Sequence, residues 1–280
     1  TNYSLDKSSF SGGKTYFWRI KAVKDGYQPS VSEQASFNTP KVEGETVDGL
    51  IIDELWIKSI NTNNFPTQLS SCISARTMAA YNGKLYILER ASDTECYLLE
   101  FDGKTCEFLK QIPLTGDIYS YSGGAISSWD HKAGQCIFSD GNGNLYISCL
   151  AIASEVRPLT VCSVNVSTGA TSKIFEANKT AVRHRIDYVN ATGNLNATGG
   201  QIWAATTDNL IYRWTLNSNG TWTEESTTIN NYYPNIVTAL GTAPYIQPIS
   251  STQFIVDGAS THPALYTFNS GSTATLESSF

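Results

Sequence analysis

The densest run of titratable side chains is Arg183-His184-Arg185-Ile186-Asp187. Two flanking guanidiniums lower the proton affinity of a histidine, which would suit His184 to acid or base work near neutrality. If the run is a strand, however, alternation sets Arg183, Arg185 and Asp187 on one face and His184 on the other. The cations then line a surface that the imidazole does not share. Asp130-His131 fails as a dyad for the same reason, and the neighbouring Trp129 reads as core.

Asp140-Gly-Asn-Gly-Asn opens like a calcium loop, with oxygen ligands at positions one, three and five. Its twelfth position is Ala151 rather than a bidentate glutamate, and a hairpin turn is the better account. The sequence has no Gly-x-Ser-x-Gly, His-Glu-x-x-His or Gly-x-x-x-x-Gly-Lys, so a hydrolase elbow, a zincin and a phosphate-binding loop all lack support. Paired carboxylates for glycoside chemistry cannot be nominated, because their separation is a three-dimensional property. No catalytic residue, metal or cofactor is assigned.

The six cysteines, Cys72, Cys96, Cys106, Cys136, Cys149 and Cys162, include no Cys-x-x-Cys pair, which argues against zinc or redox motifs. Cys136 and Cys149 fall nearly opposite each other across the Asp140 turn and are the best disulfide candidate. Folding back at Asp102 to Thr105 sets Cys106 near Phe101, away from Cys96. Buried free thiols packing as small hydrophobes are the favoured reading.

The elements that must position these groups are strands. From Met78 to Leu109, apolar and polar residues alternate in four short segments separated by Gly-containing turns. The second segment recurs as Lys84-Leu-Tyr-Ile, Asn144-Leu-Tyr-Ile, Gln201-Ile-Trp-Ala and Gln253-Phe-Ile-Val, at steps of 60, 57 and 52 residues. Third segments follow at Leu98 to Phe101, Cys162 to Val166, Tyr212 to Leu216 and Leu265 to Phe268, and Ala274 to Phe280 closes the last unit. A period of this size, with four strands and no helical pattern per unit, marks an all-β fold of the β-propeller type with at least four four-stranded blades. Glu54 to Ile60 reads as one strand without a partner, belonging to a blade beyond Phe280, so the natural chain is expected to continue.

Loops before the first strand of each blade usually share one rim, the usual ligand face. Here they run from Pro66 to Arg76, Thr115 to Gly124, Ala177 to Arg185 and Ile229 to Leu240. The candidate ligand-binding residues are Arg76, Tyr119, Tyr121, Arg183, Arg185, Tyr232 and Tyr233. Aromatic faces match the C–H face of a pyranose, and Arg offers a fork of donors to hydroxyls or carboxylates. The ordinary alternative is that the tyrosines cap blade cores and the arginines pair with acids such as Asp187.

Only 16% of residues are charged, against roughly 25% in an average protein, and Ser, Thr, Asn and Gly take their place, as sheets and turns require. The net charge is −6 with no Lys/Arg block, so nucleic acid is set aside. No apolar run approaches the roughly 18 residues of a spanning helix. The first residue is Thr1 and the sole Met is Met78, so a signal peptide could have preceded the chain. Six Asn-x-Ser/Thr sequons, starting at Asn2, Asn165, Asn178, Asn190, Asn196 and Asn219, would imply surface loops in a eukaryotic secreted protein and arise by composition in an Asn- and Thr-rich bacterial one.

Residues 1–39 differ from the rest. Phe10-Ser-Gly-Gly-Lys-Thr-Tyr-Phe-Trp-Arg-Ile-Lys-Ala-Val resembles the last third of a fibronectin type III domain, with Tyr16, Trp18, Ile20 and Ala22 at that family's inward positions. The early strands of that sandwich are missing, so the chain is read as beginning inside it. Residues 40–50 read as a linker and 51–280 as the propeller. The whole resembles the extracytoplasmic, YVTN-like propeller proteins of Gram-negative surface lipoproteins that accompany glycan-uptake systems. That resemblance implies a secreted surface protein with a lipid anchor upstream; the aromatic and Arg content of the loops and the lack of a catalytic motif favour a non-enzymatic protein that binds a glycan or surface partner through one rim. An enzyme acting on polysaccharide or lactone at the same rim, or a scaffold for a protein partner, is the alternative, since fold alone does not decide function.

Overall fold

A computed structural model describes residues 14–19, 21–23, 25–26, 30–38, 45–47, 50–52, 56–58, 65–72, 74–126, 131–152, 154–180, 184–230, 240–271 and 273–279. Its contacts divide the chain into two compact units, Thr1–Ile57 and Lys58–Phe280. In the first unit, Thr15–Trp18 pairs antiparallel with Ala35–Asn38, and Lys21–Ala22 with Ser30–Val31. Tyr16 is half-buried and Phe17 exposed, the alternation expected of a sheet with one covered face. Within the stretch read as a linker, Glu45–Val47 pairs with Leu50–Ile52 as a hairpin. Of the strand read at 54–60, residues 56–58 are described and carry no strand.

Among the described residues, the second unit is a β-propeller of four antiparallel, four-stranded meanders. Blade one comprises Ala75–Tyr81, Lys84–Arg90, Cys96–Asp102 and Phe108–Pro113. Blade two comprises His131–Ser139, Leu145–Ala151, Thr160–Val164 and Ala170–Glu176. Blade three comprises Ile186–Thr192, Gln201–Thr206, Leu210–Leu216 and Trp222–Thr228. Blade four comprises Tyr245–Pro248, Gln253–Gly258, Thr261–Thr267 and Thr275–Ser279. Each strand pairs with the next in sequence, and tight turns make that possible: Asn82 and Gly83, at φ 48° and 70°, close the first hairpin of blade one. The first strands of successive blades pack on one another in order, which places them innermost, around a common axis.

Alternation gives each sheet two apolar faces. On blade one, Leu88 and Leu98 turn toward blade two and join a core that continues through Ile147 and Val161 to Ile202 of blade three. The next residue, Trp203, points the other way and belongs to a second core with Ile246, Phe254 and Tyr266 of blade four. Its indole meets Phe254 at 5.6 Å and Phe268 edge-on at 5.4 Å, while the Arg213 guanidinium lies 4.2 Å above the Phe268 ring.

Neighbouring blades are also stitched along their outsides. Between blades one and two, Thr115-Gly116 runs parallel to Ala170-Thr171 of blade two's outermost strand. The approach is close: a Cβ on Gly169, at φ 77°, would stand 1.9 Å from the Pro113 carbonyl oxygen. Blade four returns the arrangement to blade three, where the Ala274 amide donates to the Thr228 carbonyl at 2.8 Å.

All six cysteines are free. The candidate pair is out of register, with Cys136 opposite Ser148, while the Cys149 sulfur accepts the Thr160 amide at 3.2 Å. Burial pushes Cys96, Cys136 and Cys149 up to about 11 and Cys162 to about 12, leaving neutral thiols at physiological pH. We therefore expect a thiol reagent at pH 8 to label native protein no further than half-buried Cys72, with the other five sites opening only in denaturant. Fast labelling of several sites in the folded protein would contradict this packing.

Candidate functional site

The pre-blade loops and the turns between second and third strands meet at one end of the blades, because a first strand starts where its second strand finishes. Arg76 stands there, exposed, near the start of blade one's first strand. Arg90 ends the second strand, its amide bonded to the Ser74 carbonyl at 3.0 Å. The Arg90 side chain is buried and crosses to blade two, where Nη1 donates to the Ala133 carbonyl at 3.4 Å and to Gln135 Oε1 at 3.2 Å. Burial, and then the like charge of Arg76, hold this guanidinium below its ordinary proton affinity.

Two other cations of this end, Lys132 and Arg185, have carboxylates of their own. Lys132 Nζ lies 2.5 Å from Asp93. Arg185 binds buried Asp187 through two donors, Nε to Oδ2 at 2.8 Å and Nη2 to Oδ1 at 2.6 Å, and that pairing raises its proton affinity. Tyr119, at the end of the short 3-10 helix Asp117–Tyr119, is built into the blade junction: its hydroxyl accepts the Cys96 amide at 2.8 Å and donates to the Leu114 carbonyl at 3.3 Å. Burial drives that phenol far above its usual range. Tyr121 packs edge-on against buried His131 at 5.0 Å. Arg183, Tyr232 and Tyr233 lie outside the described residues, as do Trp129 and Asp130.

His184 has a partner that strand alternation alone could not supply. Its Nδ1 sits 2.5 Å from Oδ2 of Asp208, on the turn between the second and third strands of blade three. A carboxylate at Nδ1 holds the proton there and leaves Nε2 as the basic nitrogen. Ser154 Oγ is not poised as a nucleophile beside it, since it accepts the His184 backbone amide at 2.9 Å and bonds Thr180 Oγ1 at 2.6 Å.

Along the axis lies a groove of about 350 Å³, walled by the first strands of all four blades. Met78 and Ala80 come from blade one, Phe138 and Ser139 from blade two, Asn190 from blade three, and Tyr245 and Gln247 from blade four. Asn190 Nδ2 donates to Gln247 Oε1 at 2.8 Å and to the Tyr245 hydroxyl at 3.4 Å. Tyr245 is 44% exposed, and its ring centroid lies 6.0 Å from that of Tyr188. Tyr188 in turn lies close enough to Arg76 to feel its charge. The sequence carries a trace of this arrangement in the i, i+2 pairs Tyr188/Asn190 and Tyr245/Gln247, one face each of two first strands.

Asp140 closes the groove with both of its carboxylate oxygens already bonded. Its Oδ1 accepts the Asn142 amide at 2.9 Å; its Oδ2 accepts Asn144 Nδ2 at 2.9 Å, the Tyr146 hydroxyl at 3.1 Å and the Leu195 amide of blade three at 3.3 Å. Both oxygens are thus consumed in forming the hairpin and tying it to the next blade. The calcium-like spelling of this loop is turn chemistry.

No family model and no curated protein matches the chain. Among solved structures, it is similar to an endo-arabinase from Bacteroides thetaiotaomicron VPI-5482, at 12% identity over 94% of this chain and 91% of that one, TM-score 0.40. It is also similar to the propeller domain of the Trilobed protease from Pyrococcus furiosus, at 7% identity over 73% and 56%, TM-score 0.35. The N-terminal domain of Nup159 gives 11% identity over 73% and 47%, TM-score 0.35. The chain thus spans about half the length of the last two. Likeness at this level carries no assignment of activity.

Replacing Asp140 by Ala strands five donors of two blades, those of Tyr146 and Leu195 in a buried setting. We expect a loss of roughly 2–3 kcal/mol in urea unfolding, by the usual worth of hydrogen bonds to a charged acceptor. An unchanged midpoint and slope would show that the turn holds without its carboxylate.

Proposed function

We propose that this chain is a non-enzymatic binding protein of an extracytoplasmic surface, recognising a glycan along the axis and one rim of its propeller, with the N-terminal unit, which resembles a fibronectin type III module, as a spacer. The observation that carries the reading is the axial track, where the paired rings of Tyr188 and Tyr245 stand beside the Asn190 and Gln247 amides. Ring faces and planar amides are what a pyranose needs: the first take its C–H surface, the second its hydroxyls. Rim residues Arg76, Tyr121 and Arg185 extend the track, and Arg183, Tyr232 and Tyr233 stay in the proposal from their place in the sequence.

A second reading, cleavage of a polysaccharide or lactone at the rim, is favoured by the His184 and Asp208 contact alone. A released reducing end or unsaturated product, abolished by Asp208→Asn, would establish it. The binding reading expects no product, and affinity for the polymer that is indifferent to His184→Ala.

In affinity gels cast with polysaccharides, the intact chain is expected to be retarded by at least one polymer. Tyr245→Ala should weaken that retardation about tenfold, equivalent to ~1.4 kcal/mol, with the melting temperature held. Free migration through every polymer tested would sink the glycan reading.

A further inference from the structure

Among the described residues, no carboxylate lies within ion-pair distance of Arg76 or Arg90 at the rim corner of blade one. Arg90 is 8% exposed and bonds only neutral acceptors, the Ala133 carbonyl and the Gln135 side-chain oxygen. A guanidinium is rarely buried unpaired, because leaving water costs it more than two neutral hydrogen bonds return. Arg76 follows two residues after Ser74, the residue whose carbonyl receives the Arg90 amide, so both guanidiniums belong to the same corner of blade one. They repel each other there. Asp93, held by Lys132, attracts Arg90 more weakly than Arg76 repels it, and Asp187 is taken by Arg185. This local excess of positive charge sits on a chain whose net charge is −6, so composition does not account for it.

We infer that Arg76 and Arg90 form an oxyanion subsite at the rim end of the axis, taking the carboxylate or sulfate group of an acidic saccharide. The inference rests on the glycan reading and adds the charge of the ligand to it. Arg90 is the fixed half: Ala133 and Gln135 hold its guanidinium in place before any ligand arrives, so little order is lost on binding. Arg76 is the mobile half, exposed and free to close over the anion. Two guanidinium forks present paired N–H donors at the spacing of carboxylate or sulfate oxygens, a match that one ammonium group cannot make. An anion also cancels the repulsion between the two arginines, so the free protein stores part of the binding free energy as unfavourable electrostatics. Down the track, Tyr188 and Tyr245 would take the rings that follow the charged residue.

The test compares three probes on the full chain: polygalacturonate for carboxylate, dextran sulfate for sulfate, and dextran as the neutral polymer. At least one acidic polymer is expected to bind about tenfold more tightly than dextran, and which one it is names the group. Arg76→Gln, an exposed change that breaks no hydrogen bond among the described residues, should erase that preference with the melting temperature in place. Arg90→Lys keeps the charge but loses the fork, and should weaken acidic binding severalfold. Equal affinity for acidic and neutral polymers, or a preference that survives Arg76→Gln, overturns the subsite and leaves the glycan reading standing. Retention by none of the three brings down both.

Discussion

A four-stranded antiparallel sheet with apolar side chains on both faces cannot bury either face by itself. Everything in the larger unit follows from that constraint. Ile202 and Trp203, adjacent in sequence, point into two different cores, and both are fully buried because blade three has a neighbour on each side. The four first strands converge because the blades lean on one another face to face. The axis is thus a product of hydrophobic burial, and the polar residues beside it are carried there by their strands.

Polar chemistry then does what burial cannot, which is to set the angle between blades. Arg90 reaches from blade one to the Gln135 side chain of blade two, and Asp140 of blade two reaches the Leu195 amide of blade three. Apolar faces tolerate sliding; hydrogen bonds with fixed donors do not. A groove formed by four separate sheets keeps its shape only if such braces hold, so the residues that line the groove and those that orient the blades are partly the same.

The second and third strands of every blade were legible from residue type alone. Lys84, Gln201 and Gln253 each begin a strand as the alternation requires, and Leu145 begins one a single position after Asn144. Such patterns are local, and turn residues such as Asn82-Gly83 announce where they stop. The contacts that make a site were not legible. His184 finds Asp208 24 positions away, and Asn190 finds Gln247 57 positions away. Those distances close only after blades have packed, and no periodicity records which turn will face which strand. Arg185 and Asp187 are the instructive exception: two residues apart on one strand face, they pair as alternation says they can.

The outside stitching has a bearing on how this protein keeps to itself. An outermost strand offers a row of unsatisfied amides and carbonyls to any passing chain, which is how sheets grow from one molecule into the next. Residues 115–116 lie against that row on blade two, and 273–274 lie against it on blade three. On blade one, the strand from Phe108 to Pro113 instead carries Lys110, whose charge must be desolvated by any incoming strand, and ends in a proline that cannot donate. Two of the blades are thus shielded by their neighbours' backbone and a third by its own side chains, so intermolecular sheet growth meets an obstacle at each.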